Sequence, residues 1–415
     1  MLSRHLAVAC LLATAAPQIL IGQQVARSNT PIIPKSRDSA GVRIFEHTAD
    51  ALDRAPVLSL VPAALAIIGK GDTTVDLSRV TSEVLVLRDG SIAFFADGSV
   101  QIVAPDGSRR QRIGRNGSGP QEFRRADIAR GRGDTILVTD EGNSRIAWVV
   151  PAKGVVRTRA LVLNRPGHSF GPIAQFGHDT LIMGIASYAP QFTQPGKRVQ
   201  FPVGLLTGAD DSIRIILPLE GGEMIDVPAL ATRGMPGVAA VRYPPNPVVA
   251  GWGKGFLAVR PDHWKLDLYQ PNGRLSESVR VPVRRTPVTS ALRDRDVAGT
   301  LDMMRRRSTA PFDADAMEKR LRELPYPDSL PSFRDARTTA GGIAWVREIT
   351  LATDTTWAYT AVALDGRLLG RLTGTGHAPV AFGDDRVVLR DEDADGIVTW
   401  RVMRVRWSGS GAAGQ

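Results

Sequence analysis

Short apolar runs, each announced by a turn rich in glycine or aspartate and most closed by a charged residue, recur six times along the chain. They are SIAFFAD after Asp89-Gly90, TILVTD after Gly133-Asp134, TLIMGI after His178-Asp179, FLAVR after Gly253-Lys254-Gly255, IAWVR after Gly341-Gly342, and RVVLRD after Asp384-Asp385. Measured from Gly90 through Asp134, Asp179, Lys254, Gly342 and Asp385, the intervals are 44, 45, 75, 88 and 43 residues. Three of them match the length of one four-stranded propeller blade, about 40 to 50 residues, and the two longer ones predict blades with insertions.

A second regularity follows within most units: an apolar strand, a glycine turn and a return strand. It is seen around Asp106-Gly107, Lys153-Gly154, Asn272-Gly273 and Asp365-Gly366. Glycine at such a turn supplies the positive φ that a two-residue hairpin requires. The pattern therefore predicts an all-β fold, a six-bladed β-propeller of four-stranded antiparallel blades over residues 38–407. The last unit runs out after Ile397 to Trp407 without a clear fourth strand, and Gly41 to Phe45 is expected to supply it, closing the ring and covering the open edge.

The longest interval carries a different period. Thr289 or Ser290 can cap a helix reaching about Arg307 with Leu292, Leu301 and Met304 on one side, and a second helix from about Asp313 carries Met317, Leu321 and Leu324. A helical insertion at about 288–324, between blades 4 and 5, is expected.

The residues resemble a known family, the exported bacterial six-bladed propellers related to NHL repeats. The resemblance rests on Asp38 to Val42, the run Gly114 to Phe123, Val138 to Ile146, Gly341 to Val346 and the strand from Trp357 to Asp365-Gly366. It departs at Gln121, where glycine is usual, and at Lys153-Gly154, where Asp-Gly is usual. It implies architecture and little about activity.

Arg4, the apolar stretch Leu6 to Ala16 and the small residues around Ala13-Thr14-Ala15 read as a signal peptide within residues 1–24, cleaved between Ala15 and Gln24. The apolar run is too short to span a bilayer. A lipoprotein reading at Cys10 is the weaker alternative, because the cysteine precedes a full apolar region. Cleavage removes the single cysteine, so the mature chain has no disulfide to rely on. The expected location is periplasmic or extracellular, with no transmembrane segment left, a monomeric state, and a flexible tail at 408–415.

Lysine and arginine total 52 against 42 acidic residues, a net charge of +10. The basic doublets Arg109-Arg110, Arg124-Arg125 and Arg284-Arg285 and the triplet Arg305 to Arg307 are scattered without interleaved aromatics, which argues against a nucleic-acid partner. An anionic envelope polymer or a protein fits the balance better.

Strand parity puts the tight Gly/Asp turns on one face of the disc and the long segments Ala189 to Gln200, Gly221 to Asn246 and Arg284 to Ala340 on the other, where binding is expected. Charged residues ending the central strands, Asp97, Asp140, Arg260, Arg347 and Asp391, with Asp262 and His263 nearby, form the expected ligand-binding mouth of the channel. For Asp140, with Asn143 and Arg145, a structural pairing within one blade is the preferred reading and a polar cluster at the mouth the alternative. Asp391-x-Asp393-x-Asp395-Gly396 has the oxygen spacing of a calcium loop but lacks the later carboxylate, Thr399 and Val402 standing there instead. An acidic turn is the preferred reading and a weak calcium site the alternative. Gly114 to Pro120 lacks the Lys-Ser/Thr of a phosphate loop and reads as a turn joining blades.

No GxSxG elbow or HExxH occurs, and no catalytic residue is assigned. The chain is expected to be a non-catalytic recognition or scaffold propeller without a cofactor. The alternative is a metal-dependent lactonase- or esterase-like hydrolase, for which Glu83, Asp127 and Gln175 on inner strands are the only pointers.

Overall fold

A computed structural model of the chain describes residues 29–69, 75–80, 83–161, 168–187, 196–208, 212–227, 238–261, 263–307, 313–351 and 354–407. Residues 1–24, where a signal segment is expected, with Cys10, and residues 408–415 lie outside them, as does Asp262.

The chain is mostly β and its strands follow a propeller-like plan. Each of the six marked apolar runs forms the second strand of a four-stranded antiparallel array. In chain order the arrays start at Leu85–Val86, Ala126–Arg130, His168–Phe176, Val248–Trp252, Asp335–Thr338 and Ala381–Phe382. These first strands lie side by side. The first strand of the second array packs against the third, the third against the fourth, the fourth against the fifth, and the sixth against the first. Side chains stitch the ring between arrays: Arg130 Nη2 donates to Val86 O at 2.8 Å, Thr338 Oγ1 to Gly251 O at 2.6 Å, and Arg337 Nη1 to Val380 O.

Apolar residues on both faces of these short strands explain why the arrays stack. Ile136, Leu137 and Val138 are all fully buried, some against the preceding array and some against the next, so the strand lacks a solvent face. The same holds for Phe256, Leu257 and Val259 and for Ala344, Trp345 and Val346.

The closing strand differs from the expectation. Val42–Glu46 does not join the last array; it hairpins with Lys35–Ser39 and pairs in parallel with Leu275–Arg280, at the outer edge of the fourth array. Val57–Ile68 supplies the fourth strand of the last array instead, pairing antiparallel with Val398–Arg406. A nine-residue strand needs a long partner, and the twelve residues of Val57–Ile68 provide one where the five of Val42–Glu46 do not. Register shifts on either side of Ala64, next to Pro62, blur its alternation, which hid it in the sequence. Val57 and Leu58 also pair in parallel with Arg371 and Leu372, fusing the fifth and sixth arrays into one eight-stranded sheet.

The hairpin turns also differ in type. At Asp106-Gly107 the Gly107 N–H donates to Ala104 O at 2.9 Å and glycine stands at φ +75°, as the last residue of a four-residue turn rather than inside a two-residue one. Gly273 and Gly366 repeat the arrangement. Pro105 and Pro271 preset the second turn position, and the left-handed glycine relieves the register as a bulge.

The helical insertion follows its expected bounds. Ser290–Arg307 is capped by Thr289 Oγ1, which accepts from Leu292 N at 3.2 Å, and Ala314–Glu323 by Asp313, which accepts from Ala316 N at 3.0 Å. Val297, Leu301 and Leu321 form its small core with Met317 and Leu324; Leu292 and Met304 stand outside it.

Candidate functional site

Two constructions are candidates for function: a channel enclosed by the first strands, and a platform built by the long insertions.

The channel is a cavity of about 930 Å³. Six arginines line it, Arg88, Arg130, Arg132, Arg337, Arg347 and Arg390, against two carboxylates, Glu83 and Asp335. Asp335, Arg347 and Tyr359 stand opposite one another on three adjacent strands of the fifth array. Asp335 Oδ2 lies 3.4 Å from Arg337 Nε on the same strand. Asp127 Oδ1 accepts from Glu83 N at 3.1 Å, which ties the entry of the first array to the second.

Glu83 is open to solvent within the channel yet ringed by protein. Burial raises its carboxyl above the ordinary range, with Asp127 and Asp335 adding to the rise and Arg337 and Arg130 opposing it. Burial likewise lowers Arg130 and raises the Tyr359 hydroxyl, the latter opposed by Arg347 and Arg337. Gln175 lies at the opposite end of the channel from Asp127. Its Oε1 accepts from Arg132 N in the turn after Ala126–Arg130, and its Nε2 donates to His178 O.

Of the residues expected at the channel mouth, Arg347 lines the channel. Asp97 occupies an exposed hairpin turn at φ +49°, where its carbonyl accepts from Arg112. Asp140 is fully buried and accepts from Arg124 N at 3.2 Å, Asn143 Nδ2 at 2.6 Å and Arg145 Nε at 3.2 Å. Arg145 and Asn143 reach on to carbonyls of Gly119, Glu122 and Gly117, so this network fastens the glycine-rich run to the second array. Glu122 Oε2 itself takes the Gly119 N–H at 2.8 Å, filling the place an anion would need. Arg260 is exposed, and His263 borders a separate surface cleft with His47, Trp264 and Arg280.

Asp391 forms a two-point ion pair with Arg401 across the last hairpin. Asp393 Oδ1 accepts from Asp395 N at 3.0 Å and Ile397 N at 2.9 Å. Asp391 and Asp393 are thus committed to the hairpin itself. Among the described residues no group of three or more His, Cys, Asp or Glu side chains is arranged to hold a metal ion.

The platform gathers the three long segments. Arg198–Gln200 from the first, and Glu220–Asp226 and Val238–Ala240 from the second, make a three-stranded sheet. The third joins through Asp296, a fully buried carboxylate on the first helix. Arg242 donates to it from Nε and Nη2, Tyr243 from its hydroxyl, and Tyr326 from its hydroxyl at 2.6 Å. Burial alone would raise Asp296, but these hydrogen bonds together hold it below the ordinary carboxylate range. Tyr326 is pushed up to about 12, by burial and by its bond to the carboxylate.

Sequence reasoning passed over Asp335, Arg337 and Tyr359 in the channel and Asp296 in the platform. The alternation in DART (Asp335–Thr338), with two charges two apart on an inner strand, pointed to one channel-facing side. For Asp296 the signal was its place beside Val297, Thr300 and Leu301 on the buried stripe of a helix otherwise rich in exposed charge.

No family model matches the chain, and no curated protein does. Solved structures similar to it include a member of the duf4221 family from Bacteroides vulgatus, with a TM-score of 0.45 and 8% identity over 84% of this chain and 99% of that one. A luciferin-regenerating enzyme has a TM-score of 0.40 and 12% identity over 84% and 97% of the two chains. A gluconolactonase from Xanthomonas campestris has a TM-score of 0.40 and 11% identity over 92% and 96%. Likeness at this level carries no activity from those proteins to this chain.

Proposed function

We propose that the protein is an exported, monomeric, six-bladed β-propeller that works without a cofactor as a recognition or scaffold module. It binds a protein or an anionic envelope polymer through the face that carries its insertions. The knitting of the three insertions, the first to the second through paired strands and the second to the third around Asp296, carries this reading. A surface that must present a fixed shape to a large partner gains from being tied together, whereas loosely attached loops would lose entropy on binding. The exposed Arg305 at the end of the first helix, beside Arg306 with its ion pair to Asp302, gives the platform positive charge suited to a polyanion.

Pelleting of the purified protein with isolated cell-wall sacculi, at rising salt, tests the reading. Retention that weakens with salt and is lost in the R305E/R306E double variant supports it. Retention lost equally in R109E/R110E, on the turn-bearing face, or absent from the unmodified protein, refutes this polymer-binding form of it.

A further inference from the structure

We infer that the channel is a binding site for a small oxyanion, the carboxylate or phosphate head of a compact ligand, with Arg347 as its principal anchor and Arg130 as a second contact.

Arg347 projects from the second strand of the fifth array into the channel, and its buried Nε has no hydrogen-bond partner among the described residues. Arg130, from the second array, spends Nη2 on Val86 O, while its buried Nη1 is likewise without a partner. A buried polar group left unpaired costs about 1–3 kcal/mol, and more when charged. Each of these two marks a guanidinium whose donors the fold leaves incompletely matched, and no described residue accepts from Arg347, so the parts of both side chains that line the cavity can take an acceptor from a ligand.

The charge of the wall chooses the kind of acceptor. Arg337 pairs with Asp335 and Arg390 with Glu392, which leaves Arg88, Arg130, Arg132 and Arg347 against Glu83, so the channel attracts an anion, and a guanidinium offers the paired N–H geometry that carboxylate and phosphate oxygens match. The neighbouring Asp335 and Glu83 do not cancel this. Asp335 is engaged by Arg337 and its own strand, accepting from Ala336 N at 2.8 Å, and burial raises Glu83 toward its neutral form, in which it can donate to a ligand. A cavity of about 930 Å³ holds a ligand of several carbon atoms beside its anionic head. Tyr359, opposite Arg347 on the next strand, adds an aromatic wall.

This site is independent of the insertion platform, so either inference can fail alone. Titration calorimetry of the full-length mature protein with succinate, inorganic phosphate and neutral glucose tests it. Saturable heat with succinate or phosphate, and none with glucose, is expected, and the responding arm identifies the head group. R347Q should weaken that binding at least tenfold, R130Q less, and R347K, which keeps the charge but lacks the paired guanidinium N–H groups, should fall between R347Q and the unmodified protein. R115Q, at an exposed arginine outside the channel, should bind normally. Circular dichroism melting confirms that each variant is folded; should R347Q fail to fold, R130Q and R347K still decide. Absence of binding by both anions, or unchanged binding in the folded channel variants, overturns the inference.

Discussion

Arg242 grips one oxygen of Asp296 twice, from Nε at 3.0 Å and Nη2 at 2.7 Å. The pair joins a connecting segment to a helix more than fifty positions away in sequence, and the carboxylate is completely buried. Removing one member of a buried pair leaves the other charge unmatched, at about 3–5 kcal/mol; Arg242 keeps some solvent contact, so D296A should cost about 2–3 kcal/mol. The loss should be local. Hydrogen exchange is expected to quicken in the helices Ser290–Arg307 and Ala314–Glu323, with little change in strands such as Ile136–Asp140, and equal loosening of both would refute the assignment.

His47 anchors the segment between the N-terminal hairpin and the closing strand, with Nε2 at 2.8 Å from Gly366 O. Burial lowers its pKa below the ordinary 6.5, the contact with Gly366 opposing. A histidine held neutral in the fold contributes stability that is fully present above 6.5 and is lost as the pH falls from there through the lowered value. The melting temperature of the protein should therefore drop between pH 7 and pH 5 by more than that of H47Q. Parallel curves for the two proteins would count against this role.

Val57–Ile68, and not Val42–Glu46, shields the edge of Val398–Arg406. A chain beginning at residue 48 should elute like the unmodified protein and unfold cooperatively, though weakened by the loss of the buried Phe45, a side chain worth roughly 2–3 kcal/mol. A chain beginning at residue 69 exposes a nine-residue edge and should aggregate. Size-exclusion chromatography of the two truncations decides, and similar behaviour would mean the closure does not govern assembly.

Gly366 and Gly376 share φ +78° but not surroundings. A β-carbon at Gly366 would come within 2.7 Å of Phe45, whereas at Gly376 it would meet nothing within 4 Å. G376A should cost only the left-handed backbone penalty, about 1 kcal/mol, and G366A about 1–2 kcal/mol more as the N-terminal strand is pushed off. Chemical denaturation measures both; equal losses would show that Phe45 yields freely.

Asp384 reaches into the preceding array, accepting from Thr339 Oγ1 and, at 3.0 Å, from Gly341 N. Asp134 does the same from the second array to the first, accepting from Arg88 N at 3.0 Å. D384A should cost about 1–2 kcal/mol and D134A, with one exposed bond, no more than about 1 kcal/mol, both read from urea midpoints. A larger loss for D134A would show that these bonds between arrays do not set the difference.

The repeat itself was legible because its signals are local. Glycine at a left-handed turn position, aspartate beside it and an uninterrupted apolar run in the next few residues are chemical requirements met within ten positions, and they located all six second strands. Local capping likewise set the helix starts, at Thr289 and Asp313. Even the turn-marking Asp134 and Asp384 were read correctly as turn residues, although their carboxylates serve the neighbouring array.

What the tertiary structure alone decided is whatever depends on partners distant in sequence. Whether Val42–Glu46 or Val57–Ile68 closes the last array turns on strand length and bulge placement against Val398–Arg406, which no local pattern contains. Asp391 was predicted at the channel mouth from its position at a strand end, yet Arg401 across the hairpin draws it into a pair, while Arg347, at the equivalent end of another strand, has no such acceptor among the described residues and lines the channel. Charge at a strand end is written in the sequence; which neighbour neutralises it depends on side chains brought within a few ångströms by folding, because ion pairing falls off over just that range.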